Sequence, residues 1–145
     1  MVREAKRTDL KGLLLLYSQL HENSFLQYNA HAETVWDQIL SSKICHIIVN
    51  EVCGRIVSTC SLMIIPNLTH GQRPYALIEN VVTDASFRRR GFALACLRKA
   101  KEMAVQQNCY QMMLMASSKK EEALHLYERA GYSQNEKAAL VQRLF

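Results

Sequence analysis

Proline occurs twice in 145 residues and glycine five times. Such scarcity excludes a collagen-like, low-complexity or linker-dominated chain, and the whole sequence reads as folded. Five cysteines, at 45, 53, 60, 96 and 109, form no Cys-x-x-Cys pair and are odd in number. Several lie inside apolar runs, where cysteine acts as a small buried hydrophobe, so a reducing, cytoplasmic setting is the expectation. The histidines at 21, 31, 46, 70 and 125 show no metal-ligand spacing, and no metal is expected. No apolar run approaches the ~20 residues of a membrane span. The N-terminus carries charges but no apolar signal-peptide core, Leu13–Leu16 being only four residues long. Neither Gly-x-x-x-x-Gly-Lys-Ser/Thr nor Gly-x-Gly-x-x-Gly occurs, which argues against a nucleotide P-loop and a dinucleotide fold.

What is present is a chain of one-domain length, 49% hydrophobic, able to bury a large core without disulfides. Eighteen Lys and Arg against thirteen Asp and Glu give a formal charge of +5, which favours an anionic partner without naming one. Residues 2–5 form a short strand in this reading. Thr8 and Asp9 cap a helix running to about His21, with Leu10, Leu13, Leu14, Tyr17 and Leu20 as its apolar stripe. A short helix over 33–40 follows an irregular stretch. "CHIIV" and "RIVSTCSLMII" flank a turn near Val52-Cys53-Gly54 and read as a hairpin. After the polar loop "NLTHGQR", "PYALIENVVT" is a third strand. Then come a long helix from Gly91 to about Gln107, a strand at "QMMLMA", a helix closed by Gly131 and a final strand near 139–145. The order is that of a single α/β (α+β) domain, residues 1–145, around a mixed twisted sheet flanked by helices.

Arg88-Arg89-Arg90-Gly91 stands between a strand and the longest helix. A helix N-terminus presents unpaired N–H groups, and a tight turn there can wrap them around a diphosphate. Gly91 permits close approach of the backbone, Ala93 is small, and the arginines can screen phosphate charge. A solvated loop with a glycine turn is the bland alternative. As a nucleic-acid patch the triplet lacks aromatic interleaving and a second basic stripe.

"IENVVTDASFRRRGFA" resembles the acetyl-CoA-binding motif of the GCN5-related N-acetyltransferase (GNAT) superfamily, Gln/Arg-x-x-Gly-x-Gly/Ala, met here by Arg88, Gly91 and Ala93. "VREAKRTDLKGLLLLY" is similar to the family's opening strand and helix, and "EEALHLYERAGY" to its C-terminal signature. The resemblance implies a GNAT-like fold over nearly the whole chain, with acetyl-CoA as cosubstrate. It further implies that the strand at Val81, Val82 and Thr83 pairs through its backbone with the pantetheine arm. The pyrophosphate would then sit over the amides from Arg89 through Arg90, Gly91 and Phe92 to Ala93. The two valines also read as plain strand core.

Acetyl transfer needs a neutral amine, oxyanion stabilisation and a proton for the departing thiolate. The resemblance places Tyr127 at the cofactor sulfur as general acid, against the alternative of a core tyrosine; Tyr132 reads as structural. Glu79 lies two residues before Val81, on the same face of a regular strand, and is the candidate base or cation anchor, or else a cross-strand partner. Lys120 stands where many members have a cofactor-positioning Asn, and reaches either a phosphate or solvent. Asp84 replaces a frequent proline and Ser58 a frequent glycine. Phe25, Tyr28 and Trp36 fall where the family lids its acceptor site, and shape the pocket or pack between helices. His70 is a loop residue that either touches substrate or lies at the surface, the surface reading being the stronger. Cys60 and Cys109 read as core without a basic neighbour, which favours direct amine attack over a cysteinyl intermediate. The leading function is acetyl-CoA-dependent N-acetylation of a primary amine on a small molecule: an amino sugar, polyamine, amino acid or aminoglycoside. Acetylation of a protein N-terminus or lysine, and a non-catalytic acyl-CoA-binding protein, are the alternatives. No nucleic acid or membrane partner is expected, and a homodimer is compatible with the resemblance.

Overall fold

Cys53 and Gly54, at φ 48° and 77°, turn the chain between β2 (Cys45–Val52) and β3 (Arg55–Ile65). Left-handed φ at both central residues suits the right-handed twist of the flanking strands, so the hairpin closes at the turn expected from sequence. The computed structural model describes residues 1–20 and 26–145. His21 and Phe25, and with them the expected end of the first helix, lie outside the described residues.

The remaining elements are β1 (Val2–Glu4), α1 (Leu10–Tyr17), α2 (Ala30–Ser41), α3 (Thr69–Gln72), β4 (Tyr75–Thr83), α4 (Phe92–Gln106), β5 (Met112–Leu114) and α5 (Glu121–Arg129). The strands form one sheet in sequence order. The first four are antiparallel to their neighbours, and β4 and β5 are parallel, as a crossover through α4 requires. The sheet is therefore mixed, with helices on both faces.

Alternation along β3 divides the core in two. Cys60 and Leu62 point to one face and pack with Ile48, Ala76 and Ile78 against Cys96, Leu97, Ala100 and Ala104 of α4. On the other face Ile47 and Val49 pack against Leu10 and Leu13 of α1 and Trp36 of α2. Trp36 is 4% exposed, and its indole N–H donates to the Arg7 carbonyl at 3.1 Å. That contact makes it packing between helices, one of the two roles its position allowed. No helix among the described residues is long and apolar enough to cross a membrane.

Two expectations are corrected. Residues 139–145 are not a strand: no ladder takes them up, and Leu140, Val141, Leu144 and Phe145 are all exposed. A strand pattern becomes a strand only where another strand satisfies its N–H and C=O groups. The polar loop after β3 contains α3, a single turn in which His70 and Gly71 are left-handed, at φ 54° and 69°. His70 stacks on Tyr110, ring centroids 3.8 Å apart, at the N-terminal end of β4.

Candidate active site

Asp84 begins the turn that leaves β4. Its Oδ1 accepts the Ser86 N–H at 2.9 Å, capping the 3-10 turn Ala85–Phe87. Arg89 then adopts φ 59° and Gly91 φ 81° before α4 begins at Phe92. Left-handed residues so closely spaced make a concavity of backbone N–H groups at a helix N-terminus, a place suited to an anion. A Cβ on Gly91 would meet nothing within 4 Å, so the mouth of the concavity is open. The arginine side chains have different neighbours. Arg88 Nε donates to the Thr83 carbonyl at 3.3 Å, and Arg90 lies over the Phe87 ring at 5.5 Å. Arg89 is exposed. Phe92 meets Phe87 edge-on at 5.9 Å, and Ala93 is half-buried behind it.

Upstream of this turn the sheet opens. β5 pairs with β4 only at Ala76, Leu77 and Ile78, while β4 continues to Thr83 along β3. The segment Glu79–Thr83 thus has a strand on one side only, and its other edge is available to an extended ligand. Asn80 at φ 50° and a register shift against β3 introduce an extra residue here. Such a bulge leaves one residue out of the ladder and flips the alternation after it. The expectation that Glu79 and Val81 share a face is therefore corrected. Val81 packs with the α4-side cluster, whereas Glu79 pairs with Ser61 on the face towards α1. Val82 is buried. The Thr83 and Ser58 hydroxyls lie 2.8 Å apart, Ser58 also donating to the Val82 carbonyl at 3.1 Å.

α5 turns its apolar side, with Leu126, Tyr127 and Ala130, onto the α4-side cluster. Burial pushes the Tyr127 phenol above its usual range, and the nearby Cys60 and Glu79 push in the same direction. The Glu79 charge is thus close enough to act on the phenol, and Tyr127 keeps its proton at neutral pH. Tyr132 meets Tyr127 edge-on at 6.3 Å, and its N–H closes the helix end on the Tyr127 carbonyl at 2.9 Å. Lys120 is the exposed N-cap of α5, its carbonyl accepting from Ala123 and Leu124. Burial drives the thiols of Cys60 and Cys96 upward, Cys96 to about 12, and neither is a thiolate nucleophile. Cys109 does have a basic neighbour, Arg73, but burial outweighs it and its thiol is also raised. No group of three or more His, Cys, Asp or Glu suited to a metal occurs among the described residues.

Three residues near the site were not singled out by sequence. Tyr17, assigned to the apolar stripe of α1, has its phenol pushed up by burial, with the hydroxyls of Ser61 and Thr59 opposing. It therefore stands on the Glu79 side of the sheet. Gln19 and Arg55 both reach Asp84. Tyr28, placed in the expected lid region, is bound by Glu33 and lies under Lys11 at 4.6 Å.

The profile of the acetyltransferase (GNAT) family matches residues 12–132. A glucosamine 6-phosphate N-acetyltransferase of Trypanosoma brucei brucei is 35% identical over 99 residues, spanning 68% of this chain and 63% of that relative's own length. Among solved structures, a protein of Agrobacterium tumefaciens str. C58 assigned as an acetyltransferase superposes with a TM-score of 0.93 at 36% identity, covering 99% of both chains. A Trypanosoma brucei acetyltransferase superposes with a TM-score of 0.80 at 28% identity, again over 99% of each chain.

Proposed function

The chain belongs to the acetyltransferase (GNAT) family, and from that membership we propose that it transfers the acetyl group of acetyl-CoA to a primary amine on a small molecule by direct attack. The observation that carries this reading is the join of two features. An unpaired edge at Glu79–Thr83 leads straight into the open N–H concavity at Arg89–Ala93. A long ligand with an extended, amide-bearing arm and a diphosphate fits both at once.

In this reading Val81, Val82 and Thr83 hold the arm through their backbone, and the turn from Arg88 to Ala93 holds the phosphates. Bound acetyl-CoA supplies an activated thioester. Glu79 faces the α1 side of the gap, where its carboxylate attracts a protonated amine and takes its proton, directly or through water. The bulge at Asn80 takes one residue of β4 out of the ladder, and a peptide N–H freed there would serve as a donor to the oxyanion. Tyr127 retains its proton until a thiolate develops and then gives it up. Lys120, exposed at the α5 N-cap, is within this scheme a solvent-side contact for a phosphate.

An amino sugar is the first acceptor to examine, because the relative in Trypanosoma brucei brucei acts on glucosamine 6-phosphate. The proposal extends to a cytoplasmic homodimer: the exposed apolar side chains near the C-terminus are surface that a second copy would cover. The deciding experiment measures free-thiol release from acetyl-CoA across a panel of amino sugars and their phosphates, polyamines, amino acids, aminoglycosides and short peptides. Turnover of an amino sugar supports the reading. Turnover of peptides alone replaces the small-molecule acceptor with a protein. Binding of acetyl-CoA without turnover of any amine makes the chain a non-catalytic acyl-CoA binder.

A further inference from the structure

Asp84 is 5% exposed and is the most heavily bonded carboxylate next to the phosphate turn. One oxygen takes the Ser86 N–H. The other takes the Gln19 amide at 3.3 Å and the Arg55 guanidinium at 2.5 Å. The backbone of Asp84 is fixed as well, its N–H donating to Val57 and its carbonyl accepting from Phe87, both at 2.8 Å. Gln19 completes a ring: its Oε1 accepts the Ala85 N–H at 2.9 Å. A single amide side chain thus binds a side chain and a main-chain group of consecutive residues, donating to the first and accepting from the second. A carboxylate in its place could only accept. Arg55 continues the brace, its guanidinium lying over the Phe87 ring at 5.4 Å.

Gln19 follows α1, two residues after Tyr17, whose phenol feels Ser61, the cross-strand partner of Glu79. The end of α1 therefore touches the amine side of the sheet through Tyr17 and the phosphate turn through Gln19. We propose that Gln19 is a positioning residue for acetyl-CoA: with Asp84 and Arg55 it holds the start of the 84–91 turn in its anion-binding form and ties that form to the α1 side of the site. The inference rests on the acetyl-CoA reading for its ligand, but the brace itself is a property of the free protein.

The test exploits the polarity of the pair. Gln19→Glu loses the donor to Asp84 and sets two carboxylates face to face, while still accepting from Ala85. Gln19→Met keeps the length of the side chain, loses both hydrogen bonds and leaves Asp84 its ion pair with Arg55. Acetyl-CoA affinity is measured by titration calorimetry, steady-state constants by thiol release, and exchange of the 85–91 amides by hydrogen–deuterium exchange without ligand. Gln19→Glu is expected to weaken acetyl-CoA binding about 10–100-fold, the range of a lost hydrogen bond to a charged group. It should leave kcat at saturation largely intact, the pattern of lost binding common to ground and transition states. The 85–91 amides should exchange faster in both variants, with Gln19→Met showing the smaller effect because it adds no second carboxylate. Unchanged affinity in both variants, or weakened affinity with no change in 85–91 exchange, overturns the proposal while wild-type binding keeps the acetyltransferase reading intact. If the wild type binds no acetyl-CoA, that reading falls and the positioning role with it. The ligand-free exchange then shows whether the brace still orders the turn.

Discussion

Ser61 and Glu79 sit opposite each other across the β3–β4 ladder, one residue before Asn80 turns left-handed at φ 50°. The last pair before the bulge thus presents a carboxylate on the α1 face, just where β4 loses β5 as a neighbour. An amine with a pKa near ~10 is mostly protonated at neutral pH and must lose a proton before attack. Glu79→Gln keeps size and hydrogen bonding but removes the charge. It should lower kcat/KM for the amine while leaving acetyl-CoA affinity unchanged. Equal turnover by both proteins from pH 6 to 9 would return Glu79 to a purely cross-strand role.

Tyr127 should behave differently. Its phenol is raised by burial, so the proton is present at every pH below the ordinary ~10 and is lost only above it. Tyr127→Phe should cut kcat about 10–100-fold, at or below the low end of general acid catalysis because a thiolate leaves fairly well unaided. Acetyl-CoA binding should persist. Any fall in rate between pH 7 and 10 should have the same shape in both proteins. A fall that disappears in Tyr127→Phe would show the phenol titrating below its ordinary value.

Gly91 separates conformation from space. At φ 81° a side chain is strained, yet its Cβ would touch nothing. Gly91→Ala should cost about 1 kcal/mol of stability, the usual penalty of a left-handed non-glycine residue. Gly91→Arg adds bulk at the open mouth and should abolish the rise in melting temperature expected of the wild type with acetyl-CoA. If Gly91→Arg melts higher with millimolar acetyl-CoA as the wild type does, the phosphates bind elsewhere.

The Arg3–Asp9–Glu51 cluster ties β1 to the start of α1 and to β2, with Arg3 bonding both carboxylates at 2.6 Å. Burial opposes ionisation of Asp9, but the Arg3 guanidinium and the Lys6 N–H outweigh it, and its carboxyl lies below the usual range. A depressed folded value means that the stabilisation is fully present above the ordinary ~3.9 and is lost as pH falls through the folded value. Asp9→Asn should therefore melt lower than wild type at pH 7, and the gap should close below about pH 4. A gap that stays constant down to pH 2.5 would assign the loss to packing alone.

Local chemistry made some of this legible in the sequence. Cys53-Gly54 sits between two β-rich runs, and Arg88-x-x-Gly91-x-Ala93 stands between a strand and a helix. Both are short-range patterns whose backbone need is met within a few residues. The bulge at Asn80 escapes such a reading, because only a mild tolerance of Asn for left-handed φ marks it. Without it the 2.0-residue period places Val81 on the wrong face. Gln19 and Asp84 are 65 residues apart in the chain, and nothing local to either points to the other. Trp36 has two open roles until its indole N–H is placed on the Arg7 carbonyl.

Residues 139–145 separate pattern from partner most sharply. Their alternation reads as a strand, yet Leu140 is 92% exposed, Val141 68%, Leu144 78% and Phe145 fully so. Each such side chain gains ~1.5–3 kcal/mol on full burial, and in a symmetric pair every contact is made twice. Under the homodimer proposal, sedimentation at micromolar concentration should show a dimer for the full chain and a monomer for a chain ending at Ala138. The shortened monomer should keep the fold, because both core clusters lie entirely before residue 139. Its melting temperature should lack the dependence on protein concentration expected of a full-chain dimer. A full chain that sediments as a monomer would remove the second copy, and the apolar end would then need a different cover.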